Sequence, residues 1–247
     1  MSYAAFSTIY DRMIAEDVDY GKICDFIENV FIDRGIAPVL IADLACGTGG
    51  VTLPLAARGY DMIGIDRSFD MLDIAGRKDK EHKILFLNQS IENLDLYGTV
   101  GAALCMTDGF NYVLSDKTLL SALKRLRTCF MDKGGVLIFD VSTEHKLKNV
   151  LADKTFVYDT DDIFYAWENK YYPKKKLCEM TINFFNRTKR GYRRITERQL
   201  QRARSTKEIK RLLVLAGFVN VECYSSTSFS PEREDAERLW FVCENPK

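Results

Sequence analysis

Val39-Leu-Ile-Ala-Asp43-Leu-Ala-Cys-Gly47-Thr-Gly49-Gly50 is an apolar run of strand length that passes into a glycine-rich turn. Glycine reaches positive φ without penalty and lets backbone approach a ligand closely. A helix through Leu53, Leu55 and Ala56 follows and stops at Gly59. Tyr60-Asp-Met-Ile-Gly-Ile65 then gives a second strand ending on Asp66. In open sheets built of such units, ligands sit beyond the carboxyl ends of the strands. The turn by itself is also explained as a tight strand–helix connection. Asp66, roughly 19 residues after Gly47, adds weight, because a carboxylate there can accept both hydroxyls of a ribose. Its alternative role is a surface cap for the helix beginning near Ser68. The dinucleotide fingerprint needs glycine at position 52, where this chain has Thr52. A nucleoside site without a pyrophosphate cradle is therefore expected.

Outward from this unit the alternation continues. Helical spacing predicts helices over 4–16 and 20–33, the second with Ile23, Phe26, Ile27 and Val30 on one face. Met71, Leu72 and Ala75 face inward after Ser68. Ile84–Leu87 and Val100–Met106 read as strands, Asp116–Phe130 as a helix, and Gly134-Gly135 leads into a strand over Val136–Val141. Strands apolar throughout, with helices between them, imply a parallel sheet covered on both faces.

From about 155 to 204 the period changes to two. Cys178, Met180, Ile182 and Phe184 alternate with Glu179, Thr181 and Asn183. Four antiparallel strands are expected, over 155–158, 163–170, 177–185 and 192–204. Ser205-Thr-Lys-Glu208 then has capping-box spacing. Ile209, Leu212, Leu213 and Ala216 form an apolar helix face that Gly217 ends. Phe218–Tyr224 and Leu239–Cys243 return to the first sheet. The division expected is a core of 1–145 and 205–247, with an inserted β lid at 146–204.

Composition narrows the function. Among 247 residues, 35 Lys and Arg balance 35 Asp and Glu, so bulk charge cannot drive binding to nucleic acid or membrane. No apolar run has membrane-spanning length and the N-terminus does not read as a signal peptide. The seven cysteines are scattered and form neither CxxC pairs nor zinc-spaced clusters with histidine, so no metal is expected. Reduced thiols in a cytoplasmic protein are the natural reading.

Asp43-x-Ala-x-Gly47-x-Gly49 and Gly64-Ile-Asp66-Arg-Ser-x-x-Met71-Leu resemble motifs of the class I S-adenosylmethionine-dependent methyltransferases. So do Gly134-Gly-x-Leu-Ile-Phe-Asp140 and Leu215-Ala-Gly-Phe218. Ile9-Tyr-Asp-Arg-Met13, Phe164-Tyr-Ala-Trp-Glu-Asn169 and the lid resemble a bacterial subgroup of that family, mostly of unassigned substrate. Similar inserts occur in small-molecule N-methyltransferases, including those acting on amino sugars. The resemblance implies an α/β, Rossmann-like seven-stranded sheet whose last strand is antiparallel, with S-adenosyl-L-methionine as cofactor. It implies that Asp43 and the backbone of Ala45, Cys46, Gly47 and Gly49 hold the amino-acid end. Asp66 would take the ribose, Arg67 and Met71 would flank the adenine, and Gln89, Ser90 and Ile91 would follow it. Met106 completes the expected cofactor set, joined by Tyr10 if that ring packs over the cofactor, whose cation attracts aromatic faces, rather than into the core. Ser90 stands where the family usually has an acid, and Ala45 replaces the commoner first glycine.

The loop Cys105-Met-Thr-Asp108-Gly-Phe-Asn111-Tyr112 would face the reactive methyl. Asp108 is a candidate to orient or deprotonate an amine, or else a helix cap. Tyr112 and Asn111 are candidates to position the acceptor, with a turn residue as the preferred reading of Asn111. Tyr20 either packs over the cofactor or belongs to the core. His82 lies in a solvated stretch and His145 near the rim of the site. Tyr165 and Trp167 either pack the lid or line an acceptor pocket.

Methyl transfer to nitrogen or oxygen of a small molecule is the leading expectation. Between 187 and 211, however, eleven basic residues face two acidic ones, with Arg194, Arg198, Arg202 and Arg204 at one strand parity. That patch allows RNA methylation as a rival, unless it pairs with the acidic segments 159–168 and 232–237. A non-catalytic cofactor-binding protein is a third reading. The lid's exposed strands offer a surface for a homodimer.

Overall fold

The computed structural model describes residues 18–159, 163–188 and 191–247; the expected helix over 4–16, with Tyr10, lies outside them. Helix α1 (Tyr20–Arg34) starts where Asp19 accepts the Lys22 amide at 3.0 Å and ends at left-handed Gly35. It buries Ile23, Phe26, Ile27 and Val30, the face its spacing picks out. The alternation then runs β1 (Ile41–Leu44), α2 (Thr52–Ala57), β2 (Met62–Asp66), α3 (Phe69–Lys78), β3 (Leu85–Asn88), β4 (Val100–Cys105), α4 (Asp116–Arg125) and β5 (Met131–Ser142). Four strands follow, β6 (Thr155–Asp159), β7 (Ile163–Tyr172), β8 (Leu177–Thr188) and β9 (Gly191–Arg202). The chain closes with α5 (Thr206–Ala216), β10 (Val219–Tyr224) and β11 (Arg238–Glu244).

Seven strands form one sheet in the order β10-β11-β5-β4-β1-β2-β3. Strand β11 runs antiparallel to both β10 and β5, while β5, β4, β1, β2 and β3 pair in parallel. This is the Rossmann-like seven-stranded arrangement. Because β1 lies between β4 and β2, strand order reverses at its carboxyl end, which opens a crevice there. Apolar clusters cover both faces, Phe110, Leu123, Phe139 and Phe241 on one and Phe26, Ile27, Ile41 and Leu104 on the other. Ser205 and Glu208 make the reciprocal capping box that opens α5, and Gly217 ends it at φ +93°.

Among the boundaries that differ from the sequence reading, three have a clear physical cause. Helix α4 stops at Arg125 and continues as a wider π turn over Leu126–Phe130. Val39 is exposed and unpaired, so β1 begins at Ile41. Strand β5 begins at Met131, which places Gly134 and Gly135 inside it at a register shift against β4. A Cβ on Gly135 would sit 2.9 Å from the Gly101 carbonyl oxygen, which explains the glycine better than a turn does.

The second sheet is an antiparallel meander, β6-β7-β8-β9. Register fixes its two faces. Ile182 pairs with Trp167 and Glu197, Met180 with Asn169 and Gln199, and Cys178 with Tyr171 and Gln201; these share the inner face. Ile182 and Phe184 pack on Met71 of α3, which anchors the lid over the carboxyl end of the first sheet. Arg194, Arg198 and Arg202 stand on the outer face. Arg204 leaves the expected ladder: it is 5% exposed, bonded to Asp116 at 2.9 Å and to the Val113 carbonyl at 2.6 Å. Of the expected acidic partners, Glu232 pairs with Lys210. No helix among the described residues is long and apolar enough to cross a membrane.

Candidate active site

At the end of β1 the chain turns through Ala45 at φ +58° and Gly47 at φ +56°. Asp66, ending the neighbouring strand, accepts the Gly47 amide at 2.9 Å and the Ser68 amide at 2.7 Å. Burial raises its carboxyl above the usual carboxylate range, and those two bonds oppose the rise. Each oxygen thus accepts one amide and retains capacity for a further donor. Ser68, rather than Asp66, caps α3, through the Met71 amide at 3.3 Å.

Asp43 is 2% exposed and accepts Thr52 Oγ1 at 2.6 Å. Burial pushes its carboxyl up to about 7, with the Thr52 bond opposing and the Asp66 charge adding. It lines one small cavity with Tyr20, Ala45, Cys46, Gly47 and Met106. Tyr20 lies so close to Gly50 that any Cβ there would clash with its ring. Gly49, at φ +82°, is held by a different close approach, 2.9 Å from a Leu53 methyl to the Cβ it lacks.

A larger cavity of about 260 Å³ opens beside it, bounded below by Asp66, Arg67, Met71 and the loop after β4, and above by the lid. Ser90, Ile91 and Gln89 line it. The Gln89 amide, however, is spent on both backbone groups of Asp95 at 2.9 Å, closing its own loop. Glu92, two residues beyond Ser90, also lines the cavity and restores an acid to this stretch.

The loop after β4 is strained: Thr107 and Asp108 adopt φ +53° and +59° in succession. Asp108 stands at the start of a short 3-10 turn but makes no cap bond. Its carboxylate is instead held by Arg238 at 3.0 Å and by the Gln201 amide of the lid. Arg238 also grips Asp140, which in turn accepts the Asp108 amide at 3.1 Å. Asn111 is more than a turn residue. Buried, it bonds both backbone groups of Ser142 at 2.9 and 3.0 Å and the Arg202 carbonyl at 3.1 Å, stitching the loop to β5 and the lid. Tyr112 donates to Gln199 at 2.9 Å, with the Arg67 guanidinium over its ring. Tyr165 and Trp167 line the cavity. His145 does not; it bonds Asn149 at 3.2 Å and borders a separate surface groove.

A family model described as "Methyltransferase domain" matches residues 41–134, the segment that builds this turn. "Putative methyltransferase YqeM" of Bacillus subtilis (strain 168) is 28% identical, over 100% of this chain and 98% of its own length. An S-adenosylmethionine-dependent methyltransferase of known structure, from Clostridium acetobutylicum ATCC 824, is 31% identical over 99% of each chain, with a TM-score of 0.89. The chain belongs to the S-adenosylmethionine-dependent methyltransferases. The sugar N-methyltransferase KedS8 from Streptoalloteichus sp ATCC 53650 shares the fold at 18% identity, covering 96% of this chain and 93% of its own, with a TM-score of 0.78.

The methyltransferase has donors and acceptors that fit this cofactor: a carboxylate with spare acceptor capacity at β2, a buried carboxyl at β1, and a turn without bulky side chains between them. Sequence reading missed Arg238, Gln199, Gln201, Glu92 and Lys146, all of which line the larger cavity. It also understated Ala45, whose left-handed backbone costs an alanine about 1 kcal/mol or more. Ala45→Gly should stabilise the protein by about 0.5–1 kcal/mol, the strain relief less the added freedom of unfolded glycine. A urea midpoint below that of the wild type would refute this.

Proposed function

We propose that this methyltransferase methylates an amine nitrogen of a small organic molecule. The observation that carries the reading is the roofed cavity between the loop after β4 and the inner face of the lid. Bound S-adenosylmethionine would supply a sulfonium methyl to whose carbon a nitrogen lone pair bonds in line, the C–S pair leaving with the sulfide and the new N-methyl ammonium releasing a proton to water. Asp66 takes the ribose hydroxyls, Arg67, Met71 and Ile91 flank the adenine, and Glu92 offers the acid that Ser90 lacks. Asp43, with the backbone of Ala45 to Gly47, receives the amino-acid end. Asp108, engaged by Arg238 and Gln201, orients the acceptor rather than removing its proton. Positioning of this kind supplies much of the rate in a simple displacement.

Two further points support a small acceptor over RNA. Arg194, Arg198 and Arg202 stand on the face of the lid opposite the cavity, and Arg194 is bonded to Asn183 at 2.7 Å. The similarly folded KedS8 is named a sugar N-methyltransferase. Incubation with S-adenosylmethionine and a panel of amino sugars, simple amines, alcohols and tRNA, read by mass spectrometry, tests the reading. N-methylated amine is expected, and methylation confined to hydroxyls or tRNA would overturn it. Within this reading, Asp66→Ala should weaken cofactor binding by about 1.5–3 kcal/mol, the scale of hydrogen bonds to a charged group. Calorimetric affinity equal to wild type would remove Asp66 from the ribose.

A further inference from the structure

Among the described residues that line the larger cavity, two polar atoms on the lid's inner face are buried without a partner, the carbonyl oxygen Oε1 of Gln201 and the indole Nε1–H of Trp167. Gln201 is only 2% exposed, and both side chains line the larger cavity. Chemistry sets which end of the Gln201 amide is left over. Its Nε2 faces the Asp108 carboxylate, which accepts and does not donate, so the carbonyl is the unpaired end. Folded proteins rarely keep such groups unsatisfied, because each costs free energy until something bonds it. The other buried polar atoms lacking partners, on Arg34, Asn169 and Arg202, belong to residues that do not line this cavity.

The register gives the span between the two groups. Trp167 pairs with Ile182 on β8 and Gln201 pairs with Cys178, so their backbones are two strands and four residues apart. At ordinary sheet spacings that is roughly 16 Å between backbones. Met180 and Ile182 lie between them and line the cavity with apolar surface. A molecule that meets both groups therefore has a ring-sized body with one apolar face. It carries an N–H for Gln201 and an oxygen for Trp167. A pyranose with an amino substituent has that form, its C–H face lying on Met180 and Ile182 and its hydroxyl oxygen accepting Nε1–H in the plane of the indole.

We infer that Gln201 and Trp167 are the acceptor-recognition pair of this enzyme, and that its acceptor is an amino sugar whose nitrogen is held by Gln201 beside Asp108. This rests on the reading that a small amine is methylated. A neutral carbonyl accepts one N–H of the unprotonated amine and leaves the lone pair uncommitted, which a facing carboxylate would not do as well, since it favours the ammonium form. The same bond to Asp108 ties the recognition group to the strained loop, so a seated acceptor and the loop after β4 share one anchor.

The test uses the full chain saturated with S-adenosylhomocysteine, so that nothing turns over. It is titrated at mildly alkaline pH with the methyl glycosides of 3-amino-3-deoxyglucose and 4-amino-4-deoxyglucose, with glycine for contrast. Calorimetry gives the affinity, and tryptophan emission reports on Trp167, since the remaining Trp240 is packed in the core. At least one sugar should bind saturably with a change in emission. Trp167→Phe, which keeps the ring and loses the N–H, should weaken it about tenfold, as should Gln201→Leu, both with unchanged affinity for S-adenosylhomocysteine. Trp167→Phe is the conservative arm should Gln201→Leu disturb the Asp108 contact. Binding of neither sugar, glycine binding as tightly, or both variants binding as wild type would overturn the pair. If those variants still methylate an amine of the panel normally, the amine reading survives without this pair. Methylation confined to hydroxyls or tRNA would instead defeat the reading beneath it.

Discussion

Replacing Arg238 by methionine is expected to cost about 3–5 kcal/mol of folding stability, a large share of what a domain of this size has to spare. Arg238 opens β11, and its guanidinium bridges Asp140 of β5 and Asp108 of the loop after β4. Asp140 is wholly buried, so removing the cation leaves one carboxylate in the interior facing a second, with only the Asp108 amide and the Gln201 side chain to offset them. Breaking a buried pair from one side is costly for this reason, even where the intact pair contributes little. Arg238→Lys should fall between, since one ammonium cannot span both partners as a planar fork does. Adding Asp140→Asn to Arg238→Met should recover part of the loss by removing the buried charge. The same loop holds Thr107 and Asp108 in left-handed conformations, and a conformation of that kind persists only while its surroundings enforce it. Activity should therefore fall even in the Arg238→Lys variant at temperatures where it remains folded. Denaturant unfolding and initial rates check both halves. An Arg238→Met protein as stable as wild type would show that the bridge holds nothing.

That bridge is also where the sequence is least readable. The elements around β1 and β2 announce themselves locally: apolar runs of strand length, glycine where φ must be positive, Ser68 and the Ser205–Glu208 box at helix starts. Asp43 and Asp66 are legible because their distance from the glycine turn is set by one βαβ unit. Arg238 is 98 residues from Asp140 and 130 from Asp108, and it sits after Arg233, Glu234 and Asp235, a run that reads as solvated surface. Its role appears only once β11 is laid against β5, with Arg238 opposite Ser142. Gln199 and Gln201 fail to stand out for a related cause. Strand alternation shows that they share a face, but not which face looks into the cavity, because the basic residues of the opposite parity dominate the composition there. Arg204 misleads by parity alone, since β9 ends at Arg202 and the next two residues turn the chain into α5.

Asp43→Asn should move stability and cofactor binding in opposite directions. The Asp43 carboxyl, pushed by burial to about 7, lies well above the roughly 3.9 of an unfolded aspartate. A raised acid favours the folded state only while it is protonated. Its contribution is therefore complete below about pH 4 and is lost progressively as pH rises through 7, leaving the charged form at a cost on the order of 3–4 kcal/mol at pH 8. Asparagine carries no charge and can still accept the Thr52 hydroxyl, so Asp43→Asn should be more stable than wild type at pH 8 by up to that amount. The advantage should shrink to near zero toward pH 4. Binding is the other side of the same ionisation. An ammonium group placed beside Asp43 draws its carboxyl downward, so wild-type protein should release about half a proton per cofactor bound at pH 7, where the group is half protonated. Calorimetry in buffers of different ionisation enthalpy would reveal that release, and affinity should weaken up to tenfold per pH unit below 7. The Asp43→Asn variant should lose both the proton release and most of the affinity. A variant less stable than wild type at pH 8 would refute the stability half, and one that binds the cofactor with wild-type strength would detach Asp43 from the ammonium. Both outcomes together would mean that the carboxylate is kept for the fold. The expected pair of results says the reverse: the folded protein bears the cost of a buried acid because the cofactor needs it there.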